Sequence, residues 1–452
     1  MTRNGTFRIG TGSGFSADRL DPAVDLVREG DLDAIVFECI GERTLAFGHR
    51  DRMADPEKGY NPLLERRLRA VLPGCIAGGT TLITNMGVAN PNAAASRALE
   101  VARDLGLWGR TIAAIGGDDV SALMTPDTEL DRPGLTIAGV GRKMVGANAY
   151  LGADAILPAL EAGADVIITG RVADPSLFLA PLIHAFGWNA DDWPTLGAGT
   201  LVGHLMECAA QVTGGYFADP GRKDVSNLAH VGFPIAEVNA DGRAVITKLE
   251  RAGGEVSERT VKEQLLYEVH DPSAYLTPDV TADFSGVVPS EVGKDRVRVS
   301  GAGGAARPER LKVTVAFDGG FLAEAGLSYA GPGAGRRAEL ARAILEERMT
   351  RLHGVQAPLR LEIIGLNSLH ATADSTIGAS SIDDLEDVRV RAALRTDDRQ
   401  LAELLLWEVE ALLCCGPAGG GGYRGQITPS VLTHSTFLER DRVQPTLRMV
   451  ET

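Results

Sequence analysis

Asp165-Val166-Ile167-Ile168-Thr169-Gly170-Arg171-Val172-Ala173-Asp174-Pro175 is the stretch on which the fold turns. Val166 to Ile168 form an uncharged β-branched run, the pattern of a strand buried on both faces. The run stops at Thr169-Gly170, and Arg171 and Asp174 follow at once. Pro175 suits the first turn of a helix, with Asp174 as its N-cap. In open α/β sheets, ligands bind where such turns gather at the carboxyl ends of the strands. Arg171 and Asp174 are therefore a candidate site, with an ion pair that ties down the turn as the competing reading.

The same alternation fills the chain before this stretch. Phe7 to Ile9, Ala34 to Phe37, Thr80 to Thr84, Thr111 to Ile115 and Leu135 to Val140 read as strands separated by helical patterns. With Val166 to Ile168 they make six βα-like units, which predicts a mostly parallel sheet with flanking helices, open and Rossmann-like. Polar residues recur where these strands end: Ser13 and Ser16, Glu38, Asn85, Asp118 and Asp119, Arg171 and Asp174. Each alone is an ordinary cap or turn residue. Right-handed crossovers bring them all to one edge, and a closed (β/α)8 barrel would place them similarly. Gly10-x-Gly12-x-Gly14 resembles the start of a dinucleotide loop, with Glu38 ending the second strand, but Phe15 stands where the third glycine belongs.

Gly203 to Gly215 read as a helix that ends at Gly214-Gly215. Its spacing puts His204, Glu207, Cys208 and Gln211 on one face. Four hydrogen-bonding side chains on one stripe face solvent, a satisfied polar network or a ligand. Zinc at His204, Glu207 and Cys208 has no familiar ligand spacing behind it.

Residues 1–215 are thus expected to form the parallel α/β domain, and 216–308 an insertion or lid-like subdomain containing a hairpin over Ile235 to Thr247. From 309 to 452 the order reads ββα-ββα-β, a smaller α+β domain. It is expected to open with a hairpin turning at Asp318-Gly319-Gly320 and to end on a strand at Val431 to Phe437. The long Gly365 to Glu386 connection carries His370, Asp374, Ser375 and Thr376. Gly416 to Gly425 lacks the lysine and the preceding strand of a phosphate loop, although its amides and Arg424 could receive an anion.

The chain has 452 residues, 44% hydrophobic and 23% charged, as in ordinary globular proteins. A net charge of −15 argues against a nucleic-acid or anionic-membrane surface. No apolar run approaches the roughly 20 residues that span a bilayer. The N-terminus shows no signal-peptide core, and five cysteines without paired spacing suit a reducing cytoplasm.

Several strings, taken in order, resemble the bacterial acyclic terpene utilisation AtuA family. They are Gly12-Ser13-Gly14-Phe15-Ser16, Ala147 to Ala153, Ile168 to Asp174, Gly203-His204 through Glu207-Cys208 to Gly215, Asp295 to Gly301, and Gly416 to Gly422. Ala209 departs from the pattern, which has glycine after the cysteine. The resemblance implies a catabolic role in the degradation of branched terpenoids through coenzyme A thioesters. Some members have an extra small domain, so a separate small partner subunit is implied for a chain ending at Thr452.

The leading expectation is a cofactor-independent lyase, a hydratase or dehydratase, acting as a homo-oligomer on a small branched carboxylate or acyl-CoA. Such chemistry needs a base, an acid and an anion clamp. Glu207 or Asp174 would be the base, His204 the acid and Arg171 the clamp, with Glu38 or Asp118 as a second acid/base. Ser13, Ser16, Asn85, Asn148, Gln211 and Arg424 would bind substrate. The alternatives are a non-catalytic subunit of a catabolic complex, a nucleotide-dependent oxidoreductase and a metal-dependent hydrolase.

Overall fold

The computed structural model describes residues 5–368 and 382–452. Strand β1 (Thr6–Ser13) leads through helix α1 (Asp21–Glu29) to β2 (Ala34–Phe37). Helices α2 (Glu42–Ala54) and α3 (Leu64–Gly78) precede β3 (Thr81–Thr84), and α4 (Pro91–Asp104) precedes β4 (Thr111–Gly116). After β5 (Met144–Ala149) and the short α5 (Leu157–Glu161) comes β6 (Val166–Thr169), then α6 (Ser176–Phe186) and α7 (Trp193–Glu207). Strands β1, β2, β3, β6 and β4 lie side by side in that order and run parallel. Every residue of β2 and β6 is buried, which explains why they read as unbroken apolar runs.

The chain steps in one direction from β1 to β4 and then back to β6. Right-handed crossovers therefore put α1, α3 and α4 on one face and α5 on the other. On the first face Leu26, Leu68, Leu72 and Ala98 close over Ile35, Leu82 and Ile168 in one buried cluster. Full burial of such an aliphatic side chain contributes about 1.5–3 kcal/mol. On the second face α6 and α7 pack against β1.

Beyond β1 the sheet continues antiparallel. The hairpin β7 (Pro234–Asn239) and β8 (Ala244–Lys248) is followed by α8 (Glu258–Leu266), and a small separate sheet begins with β9 (Tyr275–Leu276) and β10 (Thr281–Asp283). Strands β11 (Ser290–Gly293) and β12 (Arg296–Val299) return to the large sheet, and β13 (Gly303–Ala305) completes the small one. The 216–308 segment thus supplies strands to the main sheet.

Strand β14 (Arg310–Ala330), α9 (Ala334–Glu347), β15 (Leu359–Ile364), β16 (Asp387–Thr396), α10 (Arg399–Cys415), β17 (Gly421–Glu439) and β18 (Thr446–Glu451) complete the chain. Two compact units result, Met1–Phe317 with Thr433–Thr452, and Asp318–Leu432. In the second unit β16 pairs antiparallel with β14 and β15, and one core joins Ala338 and Leu345 of α9, Leu405 and Val409 of α10, and Leu327 and Val390 of the sheet. Both helices therefore cover the same sheet face. Among the described residues no helix is long and apolar enough to cross a membrane.

Four local expectations fail for identifiable reasons. Leu135 to Val140 is a bridged loop closed by a 3-10 turn, and its residues are only partly buried or exposed; the strand lies later, at β5. Asp318-Gly319-Gly320 does not turn, because β14 finds partners on both sides of it, β5 before and β16 after. The second unit therefore reads β-α-β-β-α-β, not ββα-ββα-β. A further strand, β18, follows the one expected to be last and pairs antiparallel with β4. Asp174 does not cap α6, since its carboxylate is engaged by Arg171. His370, Asp374, Ser375 and Thr376 lie outside the described residues.

Candidate functional site

A cleft of about 560 Å³ opens at the carboxyl edge of the parallel strands. Gly14 and Asp18 reach it from the turn after β1, Glu38 from the end of β2, and Arg171 and Asp174 from the turn after β6. The end of α7 adds Glu207, Cys208 and Gln211, and the segment after α8 adds Tyr267 and Glu268. Six carboxyl groups line it, those of Asp18, Glu38, Glu42, Asp174, Glu207 and Glu268.

Arg171 is 2% exposed. Its Nη1 donates to the Ile40 carbonyl at 2.5 Å, its Nη2 donates to Asp174, and its guanidinium lies 4.2 Å from the centre of the Tyr150 ring. Burial works against its charge, but the fields of Asp174, Tyr150, Glu38 and Glu42 outweigh it and keep the cation charged. Its Nε is buried without a protein partner. Tyr150 donates its hydroxyl to Glu42 at 2.8 Å. Burial works against the charge of Glu42 too, yet its own backbone amide and the Tyr150 hydroxyl hold its carboxyl down at about 2.

Glu38 is pushed well above the usual carboxylate range, first by burial and then by the negative charge of Asp174. Its Oε1 accepts from the Ile40 amide at 2.6 Å and from Asn85 Nδ2 at 2.9 Å. Burial likewise raises Asp174 and Asp18.

Helix α7 ends at Glu207, earlier than the sequence pattern suggests, and a 3-10 turn carries Gln211. His204 is buried, against Tyr275 and Phe284, and does not line the cleft. Its Nε2 lies 3.2 Å from the Leu265 carbonyl, which can only accept, so that nitrogen carries the hydrogen. Its Nδ1 lies 3.1 Å from Glu207 Oε1. Burial raises Glu207 to about 7, and its Oε2 is left without a partner.

Several expected site residues stand one layer behind. Ser13, fully buried, donates to the Glu38 carbonyl at 2.9 Å, and Asn85 holds both the Cys39 amide and the Glu38 carboxylate. Asp118 accepts from the Arg171 amide at 2.7 Å and from Asn148 Nδ2 at 2.8 Å, and Asn148 Oδ1 meets His49 Nε2. Ser16 accepts from Asn61 and does not line the cleft. Arg424 lies in the second unit, where it lines a groove with Arg389 and Arg391. Tyr150, Glu42, Asp18, Tyr267 and Glu268 were not singled out from sequence. Only Tyr150 carried a signal, its place in the Ala147 to Ala153 string.

The glycines of the β1 turn are accounted for by packing. A Cβ on Gly12 would strike the Phe37 ring, and one on Gly14 would come within 2.5 Å of the Cys208 backbone. Among the described residues no group of three or more His, Cys, Asp or Glu side chains is arranged to hold a metal ion.

Fold and site together define an α/β protein with a carboxyl-rich cleft at the ends of its parallel strands. The chain matches the family described as "Acyclic terpene utilisation family protein AtuA" over residues 7–449, and it belongs to that family. No curated protein and no solved structure matches it.

Proposed function

We propose that this AtuA family member is a lyase of the hydratase–dehydratase type, acting on a small carboxylic acid or its coenzyme A thioester. One observation carries the reading. Glu207 lines the cleft, keeps one buried carboxyl oxygen without a partner, is braced by His204 and has its carboxyl raised by burial to about 7. A carboxyl poised at the working pH is suited to general acid–base chemistry.

Burial raises the carboxyls of both Glu38 and Glu207 in one cleft, which supplies two groups between which acid and base roles can be divided. In the hydration direction, Glu207 takes a proton from water and the water oxygen bonds to the β-carbon of a conjugated carbonyl. The double-bond electrons move onto the carbonyl oxygen, where Arg171 Nε is the donor free to receive them. Glu38, held protonated by burial, gives its proton to the α-carbon. Solvent in the cleft returns the proton from Glu207 to Glu38. His204 acts through Glu207 as a positioning residue, and Asp118, Asn148 and Asn85 hold Arg171 and Glu38 in place.

The test is a screen of enoyl and 3-hydroxyacyl thioesters and their free acids, followed with the Glu207→Gln variant. Loss of at least about a hundredfold in kcat with an unchanged unfolding midpoint is the expected result. Full turnover by a folded Glu207→Gln chain overturns the assignment.

A further inference from the structure

A second chamber, about 210 Å³, adjoins the acidic cleft and shares Tyr150 and Asp174 with it as common walls. Its character is different. Pro175, Pro278, Pro308, Leu276, Leu311 and Phe437 make it largely apolar. Arg440 fixes two of those prolines by donating to the Pro278 carbonyl at 2.6 Å and the Pro308 carbonyl at 3.1 Å.

Two cations line this chamber, Arg310 and Lys312. They stand two residues apart on β14, which puts them on one face of the strand. Lys312 Nζ lies 4.8 Å from the Tyr150 ring centre and is ion-paired with Glu42 at 3.4 Å, a half-exposed pair that, unlike the buried Arg171, leaves the ammonium open to a second anion. Arg310 lies over the Phe437 ring at 5.3 Å, and among the described residues no carboxylate forms an ion pair with it.

The acidic cleft offers an anion a poor reception. Arg171 is the single cation among the described residues that line it, and that cation is already paired with Asp174. A negatively charged group placed there would face Asp18, Glu42 and Glu268 with no free counter-charge. An uncharged carbonyl needs only one donor, which Arg171 Nε can supply.

We infer that the side chamber is an anion-anchoring subsite: Lys312 and Arg310 hold a carboxylate or phosphate group of the substrate, while its uncharged reacting end passes Tyr150 into the acidic cleft. This rests on reading the cleft as the reaction site and adds the orientation and charge pattern of the molecule that enters. A thioester would anchor the phosphates of its carrier arm there, and a free acid a carboxylate separate from its reacting carbonyl.

The test is calorimetric titration of the full chain with butanoate, coenzyme A, butanoyl-coenzyme A and uncharged ethyl butanoate. Wild type and the Lys312→Met/Arg310→Gln double variant are compared. The inference expects at least one anionic probe to bind the wild type, to weaken about tenfold in the variant, and to weaken with added salt. Ethyl butanoate should change less than about twofold. Selective loss of coenzyme A binding identifies phosphate as the anchored group, and selective loss of butanoate identifies carboxylate. Failure of every anionic probe to bind the wild type overturns the inference, as does undiminished binding by the variant. Should the variant unfold early, the salt titration of the wild type decides, and salt-independent binding counts against. Turnover by Glu207→Gln would sink the proton-transfer reading while leaving these binding results standing.

Discussion

At the scale of single residues, Glu207 and Arg171 show how burial sets chemistry. Desolvation is the first cause acting on both, yet it raises the proton affinity of one while its neighbours keep the other charged. The Glu207 carboxyl rises from 4.5 to about 7 on folding. The folded chain therefore favours the protonated form. The stability this adds is complete below pH 4.5 and is lost as pH rises through about 7. Between those limits wild type should lose on the order of 3 kcal/mol relative to Glu207→Gln. Denaturant unfolding of both proteins at either end of the window measures it, and parallel curves would refute the assigned shift. In the hydration direction, kcat should rise with deprotonation through the same pH. Glu38 and Arg171 were legible from sequence as strand-end polar residues. What they touch was not, because Asn85 reaches Glu38, and Ile40 and Tyr150 reach Arg171, from separate parts of the chain.

At the scale of elements, the decisive contact is between the turn after β1 and the end of α7. Thr11 donates to the Met206 carbonyl at 2.8 Å, and Gly14 lies against the Cys208–Ala209 backbone. Of the glycines that hinted at a nucleotide loop, Gly14 lets these elements approach, while Gly10 and Gly12 make room for the Leu32 and Phe37 side chains. Because the obstacle at Gly14 is backbone, Gly14→Ala should cost about 1–3 kcal/mol and displace Glu207. Gly421→Ala, where a Cβ meets nothing within 4 Å, should stay within about 0.5 kcal/mol of wild type. Thermal unfolding reads both costs, and an unperturbed Gly14→Ala chain with normal turnover would show the approach is not required. The hairpin expected at Asp318-Gly319-Gly320 is the complementary case. Two glycines after an aspartate favour a turn, but pairing with β5 on one side and β16 on the other carries the strand on, with Gly320 taking up a local left-handed kink at φ 70°.

At the scale of the whole molecule, the large sheet is a parallel centre closed by antiparallel strands, with β18 covering β4. Removing Pro445 to Thr452 uncovers a strand whose backbone groups were paired from Thr111 to Gly116. A lower unfolding midpoint and concentration-dependent light scattering are expected, and a monodisperse chain with the wild-type midpoint would show β18 to be dispensable. The amino-acid sequence by itself determined the parallel centre, the polar residues at its carboxyl edge and the family. These follow from local patterns, since a strand buried on both faces must be apolar throughout and the chain must turn where it leaves the sheet. Only the tertiary structure decided which of those polar residues meet the cleft and which prop the ones that do. It turned His204 inward to the Leu265 carbonyl, 61 residues away, and brought both Arg171 and Lys312 against the Tyr150 ring. Such pairings join distant segments through packing, and no local period in the chain encodes them.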